Sequence, residues 1–127
     1  MDIKSLLPSN HVVYNVAGQS RRDILRALST PLVDDGVVTN VDAFLDDVEN
    51  REEQYTTQVG TSVALPHARS NVVRRLACTV GITQEPVVYD PAAEQPCRLF
   101  FMIAVPAFAP TAHLPLLQHL ASFAHDP

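Results

Sequence analysis

The chain has 127 residues, a formal net charge of −5 and a pI near 5.4, with 46% hydrophobic and 18% charged residues. That is the size and composition of one globular domain, long enough to bury a core without a disulfide or metal staple, and it excludes a disordered chain. The acidic balance argues against nucleic acid, which selects a basic stripe. No stretch approaches the roughly 18 unbroken apolar residues of a membrane span, and the N-terminus lacks a signal peptide's apolar run and cleavage site. A cytoplasmic domain with no direct membrane insertion is expected.

The elements are read in chain order. Residues 11–14 (His-Val-Val-Tyr) have the form of a short strand. Ser20 followed by Asp23 is a helix N-cap with its return acid, and Ile24, Leu25, Leu28 and Leu32 recur at helical spacing. Pro31 is expected to kink or end that helix near Ser29-Thr30, and Asp34-Asp35-Gly36 to form a turn. Thr39-Asn40 opens a second helix, striped by Val41, Phe44, Leu45 and Val48 and closed in charge by Asn50-Arg51-Glu52-Glu53. Residues 56–62 read as a loop flexible at Gly60. Val63-Ala64-Leu65 is a short strand that stops at Pro66.

Residues 76–82 read as the next strand, and residues 89–95 as a polar loop. Residues 98–105 are apolar on both faces, which predicts a central strand in a sheet covered on both sides. After a loop at 107–111, Leu114, Leu117, Leu120 and Ala121 mark the core face of a last helix. This order predicts a single α/β (α+β) domain with a mixed sheet flanked by helices on both faces.

Cys78 and Cys97 sit in β-prone apolar surroundings and read as small core-lining residues without zinc-ligand spacing. His113, His119 and His125 step by six residues, which on a helix turns roughly 240°, so they do not converge on a metal. No metal or cofactor is expected. His11, His119 and His125 read as surface or packing residues. Arg69, Arg74 and Arg75 fit either a solvated face or a docking aid.

The segment from Glu52 to Ala68 carries the chemistry. An apolar strand delivers His67 just past a proline, which removes a backbone donor and ends strand pairing, so the histidine is expected at the sheet's edge. Glu52, then Val59-Gly60, then Val63-Ala64-Leu65-Pro66-His67-Ala68 fill every constrained position of a signature. It is that of enzyme IIA of the fructose–mannitol class of the bacterial sugar phosphotransferase system, which this chain resembles. Arg51-Glu52, the apolar run Phe100-Phe101-Met102-Ile103-Ala104-Val105-Pro106 and His113-Leu114-Pro115-Leu116-Leu117 extend the resemblance to nearly the whole chain.

The resemblance implies a phosphoryl carrier occupying residues 1–127. His67 would be the phosphorylated residue, His113 the second active-site histidine and Arg51 the arginine beside them. The donor would be the phosphocarrier protein HPr and the acceptor an enzyme IIB domain, serving sugar uptake. A nitrogen-related regulatory enzyme IIA uses the same histidine but acts by binding targets. A third reading is an interaction domain that has lost transfer. The residue types suit the chemistry: neutral imidazole is a nucleophile near pH 7, and arginine offers a permanently charged fork for phosphate oxygens. Thr56, Thr57 and Ser62 lie close in sequence as further hydroxyl donors. Members of the family continue with more helix beyond the point where this chain stops. Truncation and a divergent short member both fit that early stop, and missing elements would uncover part of the sheet and favour a homo-oligomer.

Overall fold

A computed structural model describes residues 7–16, 20–54, 56–59, 62–90 and 96–125. A 3₁₀ turn, Ser9–His11, leads into β1 (Val12–Val16), α1 (Arg21–Asp34) and α2 (Val41–Gln54). Then come β2 (Gln58–Val59), β3 (Val63–Ala64), β4 (His67–Ser70), β5 (Ala77–Val87), β6 (Cys97–Pro106) and α3 (Leu114–His125). The strands form one mixed sheet in the order β1-β5-β6-β3-β2, with β4 also on β6.

Strand β6 is central, as its two-sided apolar run predicts. It pairs antiparallel with β5 on one side and parallel with β3 and β4 on the other. Because side chains alternate across a strand, Phe100, Met102 and Ala104 join Leu28, Leu32, Phe44 and Val48 of α1 and α2 in one core layer. Phe101, Ile103 and Val105 meet Leu116 and Leu120 of α3 in the other. Each fully buried Val, Leu, Ile, Phe or Met among them contributes about 1.5–3 kcal/mol. The chain is thus a single α/β domain with helices on both faces of a mixed sheet. Cys78 and Cys97 are buried free thiols, pushed up to about 12 by desolvation.

Ser20 caps α1 through its hydroxyl, which accepts from the Asp23 amide at 3.1 Å, and Asn40 Oδ1 accepts from the Ala43 amide at the start of α2. Pro31 does not end α1, which runs on to Asp34. Leu32 is fully buried beyond the proline, so packing of the continued stripe outweighs the missing hydrogen bond. The helix closes three residues later. There Gly36 adopts φ 73°, Val37 N–H donates to Leu32 O and Gly36 N–H to Val33 O, a Schellman closure whose left-handed position suits glycine.

Four further expectations change. Residues 56–62 contain β2, which pairs antiparallel with β3; Gly60, the expected flexible point, lies outside the described residues. Pairing does not end at Pro66. His67, Ala68, Arg69 and Ser70 resume it against Ile103, Ala104, Val105 and Pro106, in the same register as Val63 on Leu99. Strand β5 extends to Val87, with a register irregularity after Ile82. On α3 the core pair is Leu116 and Leu120, whereas Leu114, at the helix start, is 50% exposed.

His11 belongs to the 3₁₀ turn rather than to β1 and is buried. Its Nδ1 lies 3.0 Å from Cys78 O and its Nε2 2.6 Å from Asp35 Oδ2, tying the N-terminal turn to β5 and to the end of α1. Both partners are acceptors, so both ring nitrogens are placed to donate. Replacing His11 by Leu fills the space but removes both donors. Chemical denaturation of His11→Leu should show a loss of about 1–3 kcal/mol, and an unchanged midpoint would mean that the clasp contributes nothing.

Candidate functional site

The interrupted strand beside β6 fixes the site. Pro66 has no N–H, and its carbonyl accepts from Ile103 N–H at 2.9 Å. The Leu65 amide turns outward to Thr57 O at 3.0 Å. Leu65 O accepts instead from the imidazole two residues on, with His67 Nδ1 at 2.7 Å. A carbonyl can only accept, so Nδ1 carries the ring hydrogen and Nε2 the lone pair.

His67 opens on a cleft of about 440 Å³ between α2, β4 and the start of α3. Asp47, Asn50, Arg51 and Gln54 form one wall, at offsets that place them on one face of α2. His113 and Leu114 form the opposite wall. The His67 and His113 rings are 5.5 Å apart between centroids and inclined by 39°. A smaller cavity of about 210 Å³ adjoins His67, lined in part by Arg51, Thr56, Thr57 and Leu117. Thus His67, His113 and Arg51, distant in sequence, share one cleft. Arg69, two residues beyond His67 on β4, joins them; Arg74 and Arg75 are exposed and do not line it.

The His113 ring does not cap α3. Its backbone carbonyl accepts from Leu117 N–H, while its buried Nδ1 has no hydrogen-bond partner among the described residues. Desolvation holds the His67 imidazole below the ordinary histidine value, with Arg51 and Arg69 adding to the effect and the Leu65 carbonyl and Glu52 opposing it. His113 is lowered as well, first by desolvation and then by His67, Arg69 and Arg51. Two neutral imidazoles therefore face each other in a cleft whose fixed charges include two guanidinium groups. That arrangement suits an oxyanion and keeps a nitrogen lone pair available beside it.

The hydroxyls divide. Thr57 is buried, with its hydroxyl donating to Glu52 Oε2 at 2.7 Å, so it serves the scaffold. Thr56 lines the smaller cavity. Ser62, at φ 75°, lines neither cavity, and its carbonyl accepts from the Arg98 and Leu99 amides. Sequence reasoning found Arg51 but missed that Asp47, Asn50 and Gln54, at helical spacing with it, line the same cleft. It also gave Glu52 only a place in a pattern. Glu52 is buried and accepts from Thr57 N, Thr57 Oγ1 and Tyr89 Oη. Tyr89 lies 37 positions away, with no local signal to connect the two.

Residues 5–127 match the family model described as "Phosphoenolpyruvate-dependent sugar phosphotransferase system, EIIA 2". The chain belongs to that family. It is therefore a phosphotransferase component of the phosphohistidine-carrier type. The fructose-specific EIIA component of Haloferax volcanii is 30% identical over 126 residues, covering 98% of this chain and 82% of that protein. The fructose-specific EIIABC component of Bacillus subtilis is also 30% identical, over 96% of this chain, but the chain spans only 19% of that protein. Among solved structures, the nitrogen regulatory protein IIA-Ntr of Neisseria meningitidis superposes with a TM-score of 0.83 at 28% identity, covering 94% of this chain and 82% of that one. The enzyme IIA domain is thus related to both sugar and nitrogen-regulatory branches. No helix among the described residues is long and apolar enough to cross a membrane.

The depressed imidazoles set an acid dependence of stability. Unfolded histidines titrate near pH 6.5, whereas both folded-state values lie lower. This contribution is complete above about pH 6.5 and is lost progressively from there down through the lower folded-state values, because in that window the unfolded chain binds protons that the folded one resists. Thermal unfolding from pH 7.5 to 5 should therefore show a smaller loss of Tm in the His67→Gln, His113→Gln double variant than in the wild type. Parallel curves would contradict the buried neutral state.

Proposed function

We propose that His67 Nε2 is the phosphoryl acceptor of this enzyme IIA domain. The observation that carries this reading is the 2.7 Å contact from His67 Nδ1 to Leu65 O, which assigns the lone pair to the other nitrogen. Nε2 attacks the phosphorus of the donor's phosphohistidine; the new N–P bond forms as the old one breaks, and the donor imidazole leaves with the electron pair and is protonated by solvent. Positive charge develops on the His67 ring and is shared through Nδ1–H with the Leu65 carbonyl. The transferring group is loose, with charge on its equatorial oxygens, so alignment and electrostatic stabilisation supply most of the catalysis. Arg51 provides a two-pronged donor to those oxygens. His113, with a buried and unpartnered Nδ1, provides a neutral hydrogen-bonding ring across the cleft.

The donor would be HPr. For the output we favour the regulatory branch, in which phosphorylation switches binding to target proteins; the backbone match to the Neisseria nitrogen regulatory protein supports it. Transfer to an enzyme IIB domain for sugar uptake is the second reading, supported by the two fructose-specific relatives. Incubation with enzyme I, HPr and phosphoenolpyruvate should give an acid-labile adduct that is absent from His67→Ala, and a label that survives that substitution rules out His67. The branches separate at the next step: passage of the label to a fructose IIB domain supports uptake, and retention without passage supports regulation.

Two further variants test the neighbours. His113→Ala should fold and lose about 10²–10⁴-fold in transfer rate, the range of a positioned acid–base or hydrogen-bonding group; a rate within twofold of wild type would leave the ring a packing role only. Arg51→Lys keeps the charge but loses the fork. Loss of one charge-assisted hydrogen bond, about 1.5–3 kcal/mol, predicts roughly ten- to hundredfold slower transfer with little change in Tm. A wild-type rate in Arg51→Lys would exclude bidentate recognition.

A further inference from the structure

The buried carboxylate of Glu52 takes no part in the chemistry above, yet its bonds lead directly to it. Glu52 Oε1 accepts from the Thr57 amide at 2.8 Å. Its Oε2 accepts from the Thr57 hydroxyl at 2.7 Å and from the Tyr89 hydroxyl at 2.6 Å. The Thr57 carbonyl accepts from the Leu65 amide at 3.0 Å. The Leu65 carbonyl accepts from His67 Nδ1 at 2.7 Å. A continuous line of hydrogen bonds thus runs from Tyr89 through Glu52, Thr57 and Leu65 to the His67 ring.

Each link does what its neighbours cannot. Leu65 and Pro66 form the gap between β3 and β4, so the sheet ladder does not hold the Leu65 peptide by its own amide. That amide is held by Thr57, and Thr57 is held twice by one carboxylate. Tyr89 is anchored from the far side. Its ring meets Phe100 edge-on with centroids 5.4 Å apart, and the Arg21 guanidinium lies 5.7 Å from its centroid. Desolvation and the Glu52 charge push the Tyr89 hydroxyl well above its ordinary value, so it remains a donor. Uncharged or shorter side chains at 52 could not satisfy three converging donors.

We infer that Glu52, braced by Tyr89, is a positioning residue that holds the Leu65 carbonyl where it fixes the Nδ1–H tautomer of His67. This rests on the proposed acceptor role of His67. Imidazole in water favours the other tautomer, with the hydrogen on Nε2, and that form has no lone pair to offer the phosphoryl group there. The Leu65 carbonyl therefore reverses an intrinsic preference and must be well placed to do so. The carboxylate acts through the backbones of two residues, Thr57 and Leu65, and touches no reacting atom.

The test compares full-length wild type with Glu52→Gln, Tyr89→Phe and Thr57→Val, reading the His67 tautomer from its ring ¹⁵N chemical shifts above pH 7 and the rate of phosphoryl transfer from HPr. The Gln amide turns a donor toward donors. We expect Glu52→Gln to raise the Nε2–H fraction and lower the maximal transfer rate at least tenfold, with the half-saturating HPr concentration within about twofold of wild type. Tyr89→Phe, which removes one brace, should shift both readouts in the same direction by less. Thr57→Val keeps the backbone bonds and should move the tautomer least. A folded Glu52→Gln or Tyr89→Phe protein with the wild-type tautomer overturns the inference, whatever its Tm. If Glu52→Gln does not fold, Tyr89→Phe decides alone. Failure of the acceptor reading looks different: wild-type His67 would show the Nδ1–H tautomer and take no label.

Discussion

Pro66 cannot donate to the ladder beside β6, and the local geometry of the site follows from that constraint. In an unbroken strand the Leu65 and Pro66 peptides would be committed to neighbouring strands. Here only Pro66 O is committed, to Ile103, and β4 resumes in the register that β3 left. The Leu65 peptide lies between two paired segments, held at both ends yet free to turn its carbonyl onto His67. The register makes this a precise device. A one-residue slip of β4 would carry His67 to the opposite face of the sheet, into the layer packed by α1 and α2 and away from His113 and α3.

The electrostatics of the cleft have the same economy. Burial is the first cause that lowers the His67 and His113 pKa values, and the guanidinium groups of Arg51 and Arg69 lower them further, against the Leu65 carbonyl and Glu52 at His67. The positive charge of the cleft is therefore concentrated on groups that cannot titrate, while the imidazoles keep their lone pairs. On the proposed reading, an incoming phosphoryl group would bring negative charge to permanent cations without first having to displace a proton from its acceptor. Protonated histidines would add attraction for phosphate but remove the nucleophile.

Much of this was legible in the chain. The two-faced apolar run of β6 announced a covered central strand, the Ser20 and Asn40 caps located both leading helices, and the Pro-His pattern singled out His67. What could not be read locally was decided by tertiary partners. Pro31 looked like a helix end, but the burial of Leu32 carries α1 past it. Pro66 looked like the end of a strand because a missing donor shows in sequence, whereas the acceptor role of its carbonyl toward Ile103 does not. Leu114 fitted an apolar stripe but sits at the first turn of α3, where it faces the cleft instead of the core. Tyr89 gave no sign at all, because its partner is a carboxylate on another element.

The domain separates the parts that orient the nitrogen from the parts that a partner can meet. The orienting groups, Leu65, Thr57, Glu52 and Tyr89, are all buried, so changes in partner need not disturb them. The rim is different: Arg69 and Leu114 are exposed at the cleft, and Phe108, 78% exposed, stands in the loop just before it. Exposed aromatic and aliphatic side chains around a charged centre are the usual makings of a protein interface, with apolar contacts for affinity and charge for register. A domain built this way can exchange its partners by altering the rim while keeping the interior that sets the tautomer. Such a division would let one backbone serve outputs as different as those named for the fructose and nitrogen-regulatory relatives. On the proposed reading, the residues that choose between those outputs would lie on the surface around His67, away from the hydrogen-bonded line behind it.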